Sequence, residues 1–404
     1  MYCVRKITED LYWVGGNDRR LSRFENIHPV PRGVSYNAYL LLDEETVLFD
    51  AADWSASRQL VENVEHLLAG RELNYVVLDH LEPDHGAGLQ AVIARWPGVK
   101  LISGAVAFRF LDQFEFAGPD TERITVSEGD SRSFGRHTVT FYSAPMVHWP
   151  EAMAAFDEAS GVLFSADAFG TFGALNGRLF NDELHFERDW LDEARRYYAN
   201  IVGKYGAPTQ ALLDKVAALG DKVKFICPLH GPVWRTELGY FVDKYDLWSR
   251  YAPEEKGVVI VYGSMYGGTE QAAEALATAL TERGIKEVSL FDVSETHVSY
   301  LISEVFRLSH VVLASVTYNM GIYPPMLNFL EDMKALNVQN RTFAILENGT
   351  WAPKSGELME KFVTGELADC RLLDSRLTLK STLPSARAGE LEALADALAA
   401  SVQG

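Results

Sequence analysis

Cysteine is scarce in this sequence. Three occur in 404 residues, Cys3, Cys227 and Cys370, far apart and odd in number, which excludes a disulfide framework and a thiolate metal cluster. A reducing compartment fits that usage. Long apolar runs are missing as well. None reaches the ~18 residues that a membrane span needs, and the N-terminal stretch MYCVRKITEDLYWVGG lacks the apolar core of a secretory leader. The expected location is cytoplasmic, without a membrane partner. Positive charge is also in short supply, with 37 Lys and Arg against 56 Asp and Glu, a formal net charge of −19. A surface of that sign repels phosphate backbones and argues against a nucleic-acid partner. The acidity is no tail: from Glu254 onward 12 basic residues face 20 acidic ones, a net of −8 that leaves −11 for the remainder.

Apolar residues make up 48% of the chain, and no tract is of low complexity. At roughly 100–200 residues per domain this length calls for two or three domains, and two is the working number. The first part reads as short strands (SYNAYLLL, VLFDA, NYVVLDH, TVTFYSA, GVLFSADA) between amphipathic stretches, then a helix-rich segment from about residue 187 to 219 and the strand KFICPLH. SRYAPEEKG, with Pro253 and its charges, marks a linker near residues 249–257. Beyond it VVIVYGS, EVSLFDV, HVVLASVTYN, RTFAILENG and RLLDSRLTL alternate with helical patterns. That is the pattern of a doubly wound parallel sheet, whose ligands sit at the carboxyl ends of the strands. The expected domains are 1–250 and 256–404.

The densest chemistry is DHLEPDHGAG, which places His80, Glu82, Asp84 and His85 directly after an apolar run. Pro83, Gly86 and Gly88 disfavour a continued helix, so a strand-to-loop turn is expected. Imidazoles and carboxylates suit first-row metals of intermediate hardness, and packed this closely they carry a desolvation cost that a cation offsets. An exposed acidic turn is the plain alternative. It loses ground because three further apolar runs end on matching groups, His148 in MVHWP, Asp167 in LFSADAFG and His230 in CPLHGPVW. His66, His137, His185, His297 and His310 lack that context and read as surface or structural.

The order of these residues resembles the metallo-β-lactamase fold, and Glu82, where hydrolases of that fold usually carry His, resembles the flavodiiron proteins, also called A-type flavoproteins. A carboxylate in place of an imidazole favours iron and redox chemistry over a zinc-bound hydroxide. The resemblance implies two irons per chain: His80, Glu82 and His148 on one, Asp84, His85 and His230 on the other, and Asp167 bridging. It also places His28, from NIHPVPRGVSYNAYL, near the pocket. Tyr197 or Tyr198 in RRYYANIV would face the substrate, with a structural aromatic as the alternative.

Past the linker, VVIVYGSMYGGTE runs from a strand through a Ser/Gly/Thr turn into a helix. Glycines let backbone approach an anion, and Ser264, Thr269 and the free N–H groups of a helix start can donate to a terminal phosphate without a Lys. A bland strand-to-helix connection is the alternative. No G-x-G-x-x-G follows the first strand, so a mononucleotide suits better than a dinucleotide. SVTYNMGIYPPM and ENGTWAP end later strands in polar turns with aromatics, resembling the loops that flank an isoalloxazine ring in flavodoxin-like domains. Tyr266 stands where common flavodoxins have Thr. By that resemblance FMN contacts Ser264, Met265, Tyr266, Gly267, Gly268, Thr269, Thr317, Tyr318, Asn319, Gly321, Asn348, Gly349 and Trp351.

The expected architecture is therefore α/β, a metallo-β-lactamase-like αββα domain followed by a flavodoxin-like doubly wound parallel sheet domain. The family resemblance implies an oxidoreductase that reduces O₂ to water, NO to N₂O, or both. It further implies a head-to-tail homodimer, or a dimer of such dimers, in which each flavin serves the partner's irons. No Cys-rich or reductase-like segment follows the last helical pattern, so a separate donor is expected, rubredoxin or a similar small protein. Two rival readings remain at this point: a zinc hydrolase with an accessory flavodoxin-like domain, and an electron-transfer flavoprotein with a vestigial metal domain.

Overall fold

The short apolar runs of the first half become strands of two facing sheets in a computed structural model that describes all 404 residues. The first sheet takes its strands in chain order: β1 (Arg5–Lys6), β2 (Leu11–Trp13), β3 (Tyr39–Leu42), β4 (Thr46–Phe49), β5 (Tyr75–Val77), β6 (Lys100–Ser103) and β7 (Arg123–Thr125). Pairing is antiparallel up to β4 and parallel from β4 to β7. The second sheet runs β8 (Ser131–Ser133), β9 (Thr138–Ser143), β10 (Met153–Asp157), β11 (Val162–Phe164) and β12 (Phe225–Cys227). The two sheets meet through their inner residues: Phe164 of β11 stacks on Phe49 of β4 at 3.8 Å and tilts against Tyr39 of β3 at 5.6 Å. The helix Trp54–Leu68 starts where the Asp53 side chain accepts from the Ser55 N–H, and it buries Leu60, Val64 and Leu68. Helices and paired sheets make the expected αββα arrangement.

The second half is built on one parallel sheet. Its strands are β13 (Glu255–Gly263), β14 (Val288–Asp292), β15 (Leu308–Tyr318), β16 (Thr342–Asn348) and β17 (Arg371–Leu379), in the order β14-β13-β15-β16-β17. That 2-1-3-4-5 order is the flavodoxin-like version of the doubly wound fold, with its switch point between β13 and β15. Val258 and Ile260 of β13 point to one face, with Leu276, Leu280, Leu394 and Leu398, while Val259 and Val261 are buried on the other. Burial on both faces explains why β13 reads as an unbroken apolar run. Arg341, 2% exposed, has no carboxylate partner. Its guanidinium donates to the carbonyls of Tyr251 and Val305 at 2.6 Å and of Phe306 at 3.0 Å, and burial pulls it down to about 10. Each carbonyl left without that donor would cost about 1–3 kcal/mol.

By contacts the chain divides into Met1–Tyr198 with Ala207–Asp246, and Leu247–Gly404 with Ala199–Gly206. No helix is long and apolar enough to cross a membrane. The three cysteines are free.

Of the histidines read as structural, His137 faces a carboxylate at each ring nitrogen. It lies buried with Nδ1 2.7 Å from Asp157 and Nε2 3.3 Å from Asp10. The Asp157 hydrogen bond raises its pKa against the opposing pull of burial, with Asp10 and Asp43 adding to the rise. A group whose folded-state pKa is raised contributes stability fully below its unfolded value, near 6.5, and loses it as pH climbs through the folded value. The melting-temperature gap between wild type and His137→Gln is therefore expected to be widest in mild acid and to narrow as pH rises above neutrality. Thermal melts of both proteins across pH 5.5–9 check this, and a gap that widens with pH contradicts it.

Candidate metal centre and flavin pocket

Every residue expected to ligate metal sits just beyond the carboxyl end of a strand. β5 leads into His80 and Glu82, the loop between β9 and β10 carries His148, β11 leads to Asp167 and β12 to His230. Asp50 holds the first of these loops in place, its Oδ1 accepting the N–H of Asp79 at 2.9 Å and of His80 at 3.2 Å. The expected strand-to-loop turn differs in detail. Pro83 opens a one-turn helix, Pro83–Gly86, that carries Asp84 and His85. Proline is accepted at the first helical position, where its missing N–H has no partner to lose. The glycines answer to close approach rather than to helix breaking: a Cβ at Gly86 would lie 2.6 Å from the Phe116 ring, and one at Gly88 2.6 Å from the Ala52 carbonyl.

Two convergent groups result. His80, Glu82, His148 and Asp167 form one, and Asp84, His85 and His230 the other, the candidate ligand atoms of each lying within 4.8 Å of one another. Around the first, Glu82 Oε2 is 3.3 Å from His80 Nε2 and 3.1 Å from His148 Nε2. Around the second, Asp84 Oδ2 is 3.4 Å from His85 Nε2 and 3.2 Å from His230 Nε2, and the two Nε2 atoms are 3.1 Å apart. Asp167 divides its carboxylate between them. Its Oδ2 faces His148 at 3.2 Å and His80 at 3.5 Å, while its Oδ1 faces His85 at 3.2 Å and His230 at 3.6 Å.

The donor set fits a pair of cations. Three carboxylates meet four imidazoles out of water, an excess of three negative charges when the histidines are neutral. Asp84 Oδ1 and Oδ2 and Asp167 Oδ1 are buried without a hydrogen-bond donor. Such atoms are costly unless a cation compensates them. Burial would lower His85 and His148, but the neighbouring carboxylates override it and raise both to about 9. The same histidines hold Asp167 far below the usual carboxylate range in spite of its burial. Imidazoles must be neutral to ligate, so metal binding here would be coupled to proton release.

Aromatic rings enclose the second group. Phe24, Tyr36 and Tyr197 lie 5.3, 5.9 and 5.5 Å from the His230 ring. Tyr197 is fully buried and its hydroxyl has no hydrogen-bond partner, whereas Tyr198 turns away to pack on Tyr245 at 4.9 Å. His28 is buried 6.1 Å from the Phe172 ring, with its Nε2 3.7 Å from Glu25. Sequence reasoning passed over Glu25, which burial and the nearby Glu82 push up to about 8. It also passed over Glu151, a carboxylate fully buried against His80.

In the second unit a cavity of about 820 Å³ opens at the switch point. Its walls include Ser264, Met265, Tyr266, Gly268 and Thr269 after β13, Thr317, Tyr318 and Asn319 at and after the end of β15, and Asn348, Gly349 and Trp351 from β16 onward. Gly267 and Gly321 are not in the walls. Gly267 turns the chain into the helix Gly268–Glu282 at φ 84, its N–H already donated to Ser264 Oγ at 3.1 Å, and Gly321 pairs back on Tyr318. Met320, Thr350, Ser381 and Thr382 join unexpectedly. The cradle is tight: a Cβ on Gly268 would lie 2.0 Å from the Ser381 carbonyl oxygen. A helix start, hydroxyls and planar rings about one cavity suit a phosphate on a flat aromatic group.

The fold and site thus define a two-part protein, a binuclear centre on a β-lactamase-like scaffold followed by a flavodoxin-like unit. Residues 34–231 match the ODP family of beta lactamases, and residues 260–361 match flavodoxin. The chain is 32% identical to a rubredoxin-oxygen oxidoreductase of Megalodesulfovibrio gigas over 89% of both chains. It is 30% identical to a nitric oxide reductase of Moorella thermoacetica over 88% of both. Among solved structures, the rubredoxin oxygen:oxidoreductase of Desulfovibrio gigas superposes with a TM-score of 0.91 at 29% identity, covering 99% of this chain and 98% of the other. A flavodiiron protein of Giardia intestinalis gives 0.91 over 99% and 96%, and at 22% identity shows the shared fold. The chain belongs to the flavodiiron protein family.

Proposed function

We propose that this protein is a flavodiiron oxidoreductase that reduces O₂ to water, NO to N₂O, or both. Two irons per chain would lie in the two groups above, and FMN in the cavity of the second unit. The observation that carries this reading is the divided Asp167 carboxylate, one oxygen toward each group. His80, Glu82 and His148 would hold one ion, Asp84, His85 and His230 the other. A reduced iron pair supplies two electrons and a reduced flavin two more, which matches the four that O₂ needs. The chain's own part is to orient and to exclude water: Phe24, Tyr36 and Tyr197 close the space beside His230. We assign to Tyr197 and His28 the hydrogen bonds to a bound substrate, with the Glu25 carboxyl 3.7 Å from His28 as the neighbouring acid. A zinc hydrolase reading is not favoured, because Glu82 occupies a ligand position and the similar proteins are oxidoreductases.

The donor is proposed to be rubredoxin or a similar small protein, and the compartment the cytoplasm. Reduced anaerobically through such a donor, the protein is expected to consume O₂ or NO catalytically. Absence of both activities in protein loaded with iron and FMN overturns the reading.

The proposed assembly is a head-to-tail homodimer. Its support, beside the family resemblance, is the bare rim of the flavin cavity, where Tyr266 is 96% and Trp351 87% exposed, with Met320 at 57%. Apolar groups so concentrated mark a surface that something covers. Coexpression of Asp167→Ala chains, lacking metals, with Gly268→Val chains, lacking flavin, tests this arrangement. Half the dimers would be mixed and each would hold one competent pair, so about a quarter of wild-type activity is expected. Electron transfer within one chain predicts none.

A further inference from the structure

Three of the four imidazoles of the binuclear centre differ in what stands behind their Nδ1 atoms. His230 Nδ1 donates to the Ser35 carbonyl at 2.7 Å. His85 Nδ1 is buried without a partner. His80 alone has a carboxylate there: its Nδ1 donates to Glu151 Oε1 at 2.8 Å, and the same oxygen accepts the Leu81 N–H at 3.0 Å. Neither the His80 nor the Glu151 side chain is exposed at all, so solvent does not screen the pair. With Nδ1 so engaged, the His80 Nε2 lone pair points toward Glu82 and Asp167, at 3.3 and 3.5 Å.

A carboxylate behind a ligating imidazole locks its tautomer and ring orientation and pushes electron density onto the ligating nitrogen, which a carbonyl does less and an empty position not at all. The negative charge also favours the higher charge state of a cation bound on the other side of the ring. We propose that Glu151 is a positioning residue that makes the His80–Glu82–His148 position the more tightly held and more electron-rich of the two ion positions. This rests on the two-iron reading above. The centre is then asymmetric by construction, and the ion beside His80 is the harder to extract and the harder to reduce.

The test compares wild type with Glu151→Gln, which keeps the shape and an acceptor oxygen but loses the charge, and with Glu151→Asp, which restores the charge. Each full-length protein is loaded anaerobically with ⁵⁷Fe(II). Release of the two irons is followed against a ferrous chelator, and the iron environments are read by Mössbauer spectroscopy. Wild type is expected to release its irons in two separate steps. In Glu151→Gln the tighter iron should weaken by about 10–100-fold while the other is unchanged. One iron subspectrum should shift, and FMN content should stay at the wild-type level. Glu151→Asp should recover part of the lost affinity and the wild-type spectrum, which a residue that merely fills space would not do. Parallel release of both irons in wild type and variant, with both subspectra unmoved, overturns the proposal. A wild-type protein that takes up fewer than two irons overturns instead the reading on which it rests.

Discussion

Asp167→Ala is expected to give a protein that keeps its FMN but holds neither ion, with turnover at background. The reason is geometric. Each of the two groups can reach one oxygen of this carboxylate, so its removal opens both positions together and leaves the remaining imidazoles to repel one another when protonated. The loss should exceed the ~10–100-fold that follows removal of an outer hydrogen-bond partner. His148→Asn, by contrast, touches only the group that contains Glu82 and His80, and should weaken one ion more than the other. Iron analysis of the two variants separates these outcomes, and Asp167→Ala protein that retains two irons contradicts a bridging role.

Gly268→Val should do the opposite, retaining metal and losing flavin. The added Cβ would sit 2.0 Å from the Ser381 carbonyl oxygen and 3.4 Å from Asn348 Nδ2, and neither has room to withdraw. Asn348 is tied at both ends, its Nδ2 donating to Ser381 O at 3.0 Å and to Thr269 Oγ1 at 3.2 Å and its Oδ1 accepting from Ser381 N at 2.9 Å. Relief must come from the turn itself, which moves the helix start away from the phosphate it would hold. The purified variant should lack flavin absorbance even with added FMN, while its iron content matches wild type. Normal flavin uptake would mean that the phosphate lies elsewhere.

Much of the centre was legible in the sequence because chemistry and topology coincide there. A ligand-rich stretch after one apolar run, and single His or Asp residues ending three others, identify groups that strand ends bring together. The parallel sheet was legible for a similar reason, since β13 buries neighbours on both faces and so reads as an unbroken apolar run. What escaped were residues whose role depends on a neighbour far away in the chain. Glu151 stands in an ordinary loop, and only its approach to His80, 71 positions earlier, gives it meaning. Ser381 and Thr382 follow the last strand without the glycines or aromatics that marked the other loops, yet they line the cavity at the switch point. Pro83 misled in the other direction, being read as a break where it begins a helical turn. Asp50 and Asp79 are buried beside the ligand loop, and burial pushes Asp50 up to about 7 against the pull of His85, His80 and two backbone N–H groups, which no local pattern announces.

Each chain carries two ion-binding groups and one cavity proposed for FMN, and irons and flavin are needed together to reduce the oxidant. Metal analysis and a visible spectrum of the purified protein, taken together with anaerobic turnover of O₂ and NO, decide this. The expected result is close to two irons and one FMN per chain, with oxidant consumption that disappears when either is removed. Zinc in the centre, no flavin and no turnover of either oxidant would contradict the account.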